Sequence, residues 1–202
     1  AVGWINASVD PSAEMEAVRK RLQDVDFLIA GSIEERDSLL PYKERVFIFP
    51  LIERIYSKRK VHVDHEPIVI GYHGNAVHLT ELYPHATRAI EILAREVPLR
   101  MIAVHGPAPG WEWREGKPDI DVEEVEWDID TIEDQLLRCD IGIVPGITPI
   151  TPAERDGALR LLNPRGYRTD YLLRFKNKSN AGRSFVFHQL HIPVVAAFMP
   201  SH

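Results

Sequence analysis

The chain has 202 residues, of which 45% are hydrophobic, and its formal net charge at pH 7 is -6. It lacks a run of about 20 apolar residues, the length that crosses a bilayer, and its acidic charge disfavours the many phosphate contacts on which non-specific nucleic-acid binding depends. We therefore expect a soluble protein without a transmembrane segment and without a nucleic-acid partner.

The start of the sequence bears on where the protein is located, and its single cysteine bears on its chemistry. The first residues, AVGWINASVDPSAEMEAV, contain no basic segment followed by an apolar one, so they do not resemble a secretory signal, and we expect a cytoplasmic protein. The single cysteine, Cys139, lies in the apolar run LLRCDIGIV. We predict a buried side chain there rather than a nucleophile or a disulfide.

Short apolar runs alternate with longer amphipathic patterns, which is typical of βαβ units around a mostly parallel sheet. Strands are predicted at 27–30, 46–49, 68–71, 100–104, 122–126, 141–144 and 194–197. Helices are predicted at 11–23, 33–40, 80–96, 131–138 and 181–190. The helix over 80–96 has the clearest apolar face, with Thr80 as its N-cap and Pro98 as its stop.

The polar segment ERIYSKRKVHVDHE predicts an exposed crossover between two domains, with a boundary near residue 60. Residues 1–60 would form part of an N-terminal α/β domain. Residues 61–202 would form a Rossmann-like parallel sheet with helices on both faces, cut short at its C-terminus because the chain ends soon after the strand pattern PVVAAF.

Charge is unevenly distributed. Residues 112–134 contain eleven acids and two bases, whereas residues 155–183 contain eight bases and two acids. A concentrated cationic segment in an acidic protein indicates a local anionic ligand, the alternative being a solvated basic face that offsets its acidic neighbours.

The basic segment leads into the predicted helix at 181–190. Lys178 and Arg183 flank its start, and Ser179 or Asn180 is suited to the N-cap. Cations there oppose the helix dipole unless an anion lies between them, so the pattern predicts a site for a nucleotide diphosphate, held without a metal. The alternative is a surface loop that is merely basic.

Five strings follow one another in the chain: DVDFLIAGSIEERDSLL, RVFIFPLIE, IVIGYHGN, LLRCDIGIVPG and KNKSNAGRSFVFHQLHIPVVA. In this order they resemble segments of GT-B glycosyltransferases. The first two resemble the end of the acceptor domain, the next two resemble the first donor-domain strand and the strand entering the donor site, and the last is similar to the donor-binding segment. The resemblance implies transfer of a sugar from a nucleoside diphosphate sugar to a glycan, lipid or small-molecule acceptor, as in polysaccharide biosynthesis.

By the same resemblance, Gly74 and Asn75 lie at the cleft near the donor phosphates, Lys178, Ser179, Asn180 and Arg183 hold the diphosphate, and Trp127 contacts the base. An inverting base would come from the acceptor domain, so no catalytic residue is assigned. The resemblance implies no cofactor besides the co-substrate. Contact with a membrane surface, oligomeric state, sugar and base are left open.

One departure favours a second hypothesis. Many retaining members carry two glutamates across this helix, where the present chain has Lys178 and Val186. The alternative is therefore a non-catalytic nucleotide-sugar-binding module that acts through a partner protein. A third possibility, an unrelated nucleotide-binding α/β domain, would require a better glycine-rich turn than GYHGNA.

Metal ligation is not expected. The acids near Thr131 are Asp128, Asp130, Glu133 and Asp134, and they suit capping of a helix start. The spaced pairs of histidines at 62 and 65 and at 188 and 191 have no third ligand at a recognisable spacing.

Overall fold

The computed structural model describes residues 22, 24–31, 33, 36, 39–40, 43–49, 55–113, 116–145 and 182–197. These residues belong to two compact units. The first contains residues 22–49, and the second contains residues 55–145 together with 182–197. The sequence predicts a boundary near residue 60, whereas residues 55–60 belong to the second unit.

The first unit is built around two parallel strands, β1 (Leu28–Ala30) and β2 (Val46–Ile48). Leu22, Val25 and Leu28 are buried together, and Leu39 and Val46 pack against them. Both strands lie where the sequence predicts them. The helix predicted at 11–23 lies outside the described residues except for Leu22, and only four residues of the one predicted at 33–40 are described.

The second unit is a five-stranded parallel sheet. Its strands are β3 (Ile68–Gly74), β4 (Leu99–His105), β5 (Asp121–Glu126), β6 (Ile141–Val144) and β7 (Val194–Ala196). They lie side by side in the order β5-β4-β3-β6-β7, and every neighbouring pair is parallel. The first strand of the unit is therefore central and the order reverses beside it, as in a Rossmann-like α/β sheet. This confirms the predicted α/β class.

Helices cover both faces of this sheet. They are a 3-10 helix (Ala76–Leu82), α1 (His85–Leu93), α2 (Ile132–Leu137) and α3 (Gly182–Gln189). Alternate strand residues point to opposite faces, and the buried side chains divide accordingly. One cluster joins Ile70, Tyr72, Met101, Ala103 and Ile143 to the 3-10 helix and α1, and the other joins Val69, Ile102, Val104 and Val144 to α2 and α3.

The prediction of one helix over 80–96 with Thr80 as its N-cap is wrong. A 3-10 helix comes first, and the Oδ1 of Asn75 caps it by accepting the N–H of Val77 at 3.2 Å. Pro84 has no N–H and disfavours the helical conformation at the residue before it; Tyr83 is extended, and α1 begins only at His85. The hydroxyl of Thr80 instead donates to the carbonyl of Val77.

Glycines in two neighbouring strands let α3 approach the sheet closely. A Cβ at position 142 would lie 2.5 Å from the ring of Phe187, and one at position 71 would lie 2.6 Å from the Sγ of Cys139. Cys139 is fully buried, as predicted, and burial raises the pKa of its thiol to about 12.

Residues 55–62 bond to α2 and to the C-terminal end of α3. The N–H of Tyr56 donates to the Oε1 of Gln189 at 3.2 Å, and the N–H of Lys60 donates to the carbonyl of Leu190 at 2.7 Å. Further on, the Nε2 of His62 is 2.8 Å from the carbonyl of His191. These bonds hold the segment against the second unit.

Candidate functional site

The site with the strongest physical signature is the carboxyl edge of the second sheet, where β3 and β6 lie side by side. The chain leaves β3 for the 3-10 helix and α1 on one face, whereas α3, which leads into β7, covers the other face. Connections that diverge to opposite faces open a crevice at the carboxyl ends of the strands, and ligands of open α/β sheets bind in such crevices.

Arg183, near the start of α3, reaches this edge. The residue is only 6% exposed. A Cβ at position 74 would lie 3.1 Å from its Cδ and 3.6 Å from its Nη1, so the side chain crosses the end of β3 over Gly74. Gly74 also has φ = +142°, a conformation that residues with a Cβ rarely adopt. Glycine at 74 is thus required by the backbone and by the arginine above it.

The guanidinium of Arg183 is incompletely satisfied. Among the described residues, its Nη1 is buried and has no hydrogen-bond partner. The first turn of α3 contains no acidic residue. Because a buried cation is costly unless it is paired, and because helix starts favour negative charge, this arrangement is suited to an anion such as a phosphate.

Tyr72 lies beside the arginine but cannot neutralise it. Its side chain is fully buried, and its hydroxyl donates to the backbone carbonyl of Asn75 at 2.7 Å. Burial raises the pKa of the phenol to about 12, although the charge of Arg183 acts in the opposite direction. The phenol is therefore uncharged at neutral pH.

His73 contacts the backbone of the same arginine. Its ring is buried at 5% exposure, lies edge-on to Phe187 with centroids 5.1 Å apart, and has its Nε2 3.1 Å from the carbonyl oxygen of Arg183. Burial lowers the pKa of His73 to about 4. The imidazole is therefore neutral at pH 7, and because a carbonyl can only accept, Nε2 carries the proton.

The structure brings together some of the residues that the sequence singles out. Gly74 and Arg183 are in contact, and Asn75 follows directly, its side chain capping the 3-10 helix. Trp127 follows β5, two strands from β3, so it lies roughly 10 Å along the edge, and it is 41% exposed. Lys178, Ser179 and Asn180 lie outside the described residues.

An aromatic cluster follows the end of β4, next to Gly74 in register. His105 packs edge-on against Trp111, which packs edge-on against Trp113. The indole N–H of Trp113 donates to the Oε1 of Glu124 at 2.8 Å. The tryptophans also pack on the core under α1, so they have a structural role here.

Two residues of the site were not predicted. Neither Tyr72 nor His73 is among the site residues that the sequence analysis assigns. The strand pattern could have indicated them. Side chains alternate between the two faces along a strand, so Tyr72 and His73 point to opposite faces at the end of β3. Their partner could not be inferred, since Arg183 lies 110 residues further along the chain.

Of the four acids around the start of α2, Glu133 and Asp134 lie in its first turn and bond to Lys58, and Asp128 bonds to backbone N–H groups. The Oδ1 of Asp128 accepts the N–H groups of Asp130 and Thr131 at 2.8 Å and 3.1 Å in the turn before α2, whereas the N-cap residue Thr131 makes no side-chain capping bond, so the predicted capping of the helix start is not observed. Within the described part of the chain, no group of three or more potential ligands could hold a metal ion.

A second hollow, of about 630 Å³, opens at the opposite edge, among residues 62–68 and 140–141. The carboxylate of Asp140 in its lining accepts from the N–H of Val69 and lies 2.9 Å from the Nζ of Lys60 and 3.0 Å from the Nε2 of His65. Because Asp140 already has these partners, its charge does not require a ligand. The carboxyl edge, with its unsatisfied guanidinium, is the better candidate.

None of the described helices has the length and apolar character to cross a bilayer. No protein-family model matches the chain, and no curated protein matches it significantly.

Proposed function

We propose that the chain binds a nucleoside diphosphate sugar with its diphosphate at the carboxyl edge of β3 and β6, and transfers the sugar to a hydroxyl acceptor. The observation that carries this proposal is the buried guanidinium of Arg183, whose Nη1 has no partner among the described residues. A diphosphate supplies the charge and the acceptor oxygens that this group needs.

The strand order supports the same assignment. The arginine lies where the order of a Rossmann-like sheet reverses, which is where nucleotides bind in such folds. The resemblance of the sequence to GT-B glycosyltransferases is the basis for proposing a sugar on the diphosphate and a hydroxyl acceptor. In that arrangement Arg183 would neutralise the charge that develops on the departing diphosphate, so that no metal ion is required.

One observation favours a binding module without catalysis. Val186, at one of the two positions that carry glutamate in many retaining GT-B enzymes, is 1% exposed and lies in the apolar cluster with Phe187 and Leu190. In this chain the middle of α3 therefore offers an apolar side chain to the core instead of a carboxylate. On this second hypothesis the protein would hold the sugar nucleotide without transferring it.

Binding is tested by thermal unfolding with UDP, GDP, ADP and dTDP, each compared with its nucleoside. A ligand at one hundred times its dissociation constant stabilises a fold by about 2.7 kcal/mol, which raises the melting temperature of a chain of this size by roughly 5 to 10 °C. We expect one diphosphate to give such a shift. Absence of a shift with all four would reject nucleotide binding.

Transfer is tested with the sugar nucleotides of the base that binds. Release of the nucleoside diphosphate is measured with and without pooled glycan, lipid and small-molecule acceptors. Release that depends on an acceptor, together with a glycosylated product in the mass spectrum, supports the transferase. Binding without release supports the non-catalytic module.

A further inference from the structure

His73 is the polar link between the central strand and the start of α3. It is the last residue but one of β3, and its Nε2 lies 3.1 Å from the carbonyl oxygen of Arg183. The contact joins residues 110 positions apart in the chain and is fully buried. It therefore fixes the backbone of the arginine relative to the end of the strand.

The side chain of Arg183 is fixed at a second point. Its Cδ lies 3.1 Å from where a Cβ at position 74 would be, and Gly74 is the residue after His73. The arginine is thus held at its carbonyl by one residue of β3 and confined along its side chain by the next. Two consecutive residues of a central strand direct one guanidinium.

Packing sets the direction of the imidazole. Its ring lies edge-on to Phe187, one turn along α3 from Arg183, with the ring centroids 5.1 Å apart. Phe187 is itself fully buried against Gly71 and Gly142. With one side of the ring occupied by Phe187, the Nε2–H remains directed at the carbonyl.

We propose that His73 is a positioning residue: through its Nε2–H bond to the carbonyl of Arg183 it holds the Arg183 guanidinium over Gly74, ready for the diphosphate. This inference rests on the proposed function for the identity of the anion. The positioning itself is a property of the ligand-free protein and can be measured without a ligand.

The first test is NMR of the ligand-free protein. The Nε–H signal of Arg183 is assigned by its loss in Arg183→Lys, and its order parameter is measured in His73→Phe and His73→Gln. Phe keeps a ring against Phe187 but has no donor, whereas the Gln amide places an N–H near the original Nε2. We expect a fall below about 0.6 in His73→Phe, the range of mobile groups, and a value near wild type in His73→Gln.

The matched control is His188→Phe, the same substitution on an exposed residue of α3. It should leave the Arg183 signal unchanged. An order parameter that stays high in His73→Phe overturns the proposal, whatever the protein binds. A loss that Gln does not restore also overturns it, since the donor would then not be the relevant feature.

The second test joins the inference to function. Calorimetric titration with the diphosphate that stabilises the wild type should give about tenfold weaker binding in His73→Phe and recovery in His73→Gln, while nucleoside affinity changes little. Equal weakening of both ligands indicates general damage to the fold and contradicts positioning. Should wild type bind no nucleotide while the NMR result holds, the proposed function fails and the positioning role stands.

Discussion

Arg183 combines two properties that rarely occur together: it is 6% exposed, and its Nη1 has no hydrogen-bond partner among the described residues. A buried cation without a counter-ion weakens the fold that contains it. The arginine is therefore more readily explained by what it binds than by what it stabilises, and this distinction can be measured.

Replacing Arg183 by Met tests the distinction. Met retains an unbranched apolar stem and removes the charge, so the free energy of unfolding without ligand should stay the same or rise, by up to about 2 kcal/mol. Urea denaturation measures it. Stabilisation by the diphosphate should disappear in the same variant. A loss of more than about 2 kcal/mol without ligand would mean that Arg183 is part of a structural ion pair.

Gly74 is subject to two constraints, and its substitution by Ala should affect both. The positive φ should cost about 1 to 3 kcal/mol of stability, and the new Cβ, 3.1 Å from the Cδ of Arg183, should displace the guanidinium. Diphosphate binding should weaken in a titration. Gly110→Ala is the matched control, because Gly110 has φ = +75° but nothing within 4 Å of its Cβ position. It should lose stability without losing affinity.

Helix α3 contains Arg183 and packs closely against the sheet at positions where β3 and β6 have glycines. The ring of Phe187 occupies the space that a side chain at 142 would fill, and Cys139 and the same ring occupy the space at 71. The position of Arg183 therefore depends on contacts that lie well below the carboxyl edge.

Gly142→Ala should destabilise the fold by about 1 to 3 kcal/mol, the usual cost of overpacking a core, because its Cβ would lie 2.5 Å from the Phe187 ring. Chemical denaturation is the measurement, and Gly106→Ala, which meets nothing within 4 Å, is the control. Combining Gly142→Ala with Phe187→Leu should restore part of the loss. Additive losses would contradict the assigned contact.

His73 makes the free energy of unfolding of the protein depend on pH. Burial lowers its pKa in the folded state to about 4 from the usual 6.5, and the charge of Arg183 acts in the same direction. The unfolded chain therefore takes up a proton at this residue between pH 6.5 and 4, while the folded chain does not. Stability falls as the pH is lowered through this window, by about 3 kcal/mol from His73 alone.

Unfolding midpoints measured from pH 7.5 to 4 test this dependence in wild type and in His73→Gln. The variant cannot titrate at position 73, so its stability should fall less steeply as the pH decreases. Other histidines and the carboxylates contribute equally to both proteins. Parallel curves would show that His73 takes up its proton at the same pH in the folded and the unfolded chain, which would contradict its burial.

The alternation of short strand patterns with longer amphipathic ones was enough to predict the α/β class and every strand of the second sheet. It was not enough to predict the start of the helix after β3. There the apolar pattern is regular, but Asn75 caps a separate 3-10 helix and Pro84 precedes the start of α1. Strand order depends on contacts between distant segments, so the central place of β3 could not be inferred from local patterns.

The candidate site was predictable to the same extent. A basic helix start opposed to its dipole singled out Arg183, and a glycine after a strand singled out Gly74. Their contact, and the link through His73, arise only when the carboxyl end of β3 meets α3 across 110 positions of sequence. The local sequence indicates which residue types could bind an anion. The burial of the Arg183 guanidinium, and its lack of a partner for Nη1 among the described residues, depend on how distant segments pack in the folded sheet.

The most direct measurement of the central claim is a calorimetric titration of wild type and Arg183→Gln with a nucleoside diphosphate and with its nucleoside. The account predicts that the substitution weakens diphosphate binding by about ten- to a hundredfold, the usual value of a hydrogen bond to a charged group, and leaves nucleoside binding nearly unchanged. Arg138→Gln, which removes a half-exposed arginine paired with Glu123, should match wild type. Equal affinity of wild type and Arg183→Gln for the diphosphate would contradict the account.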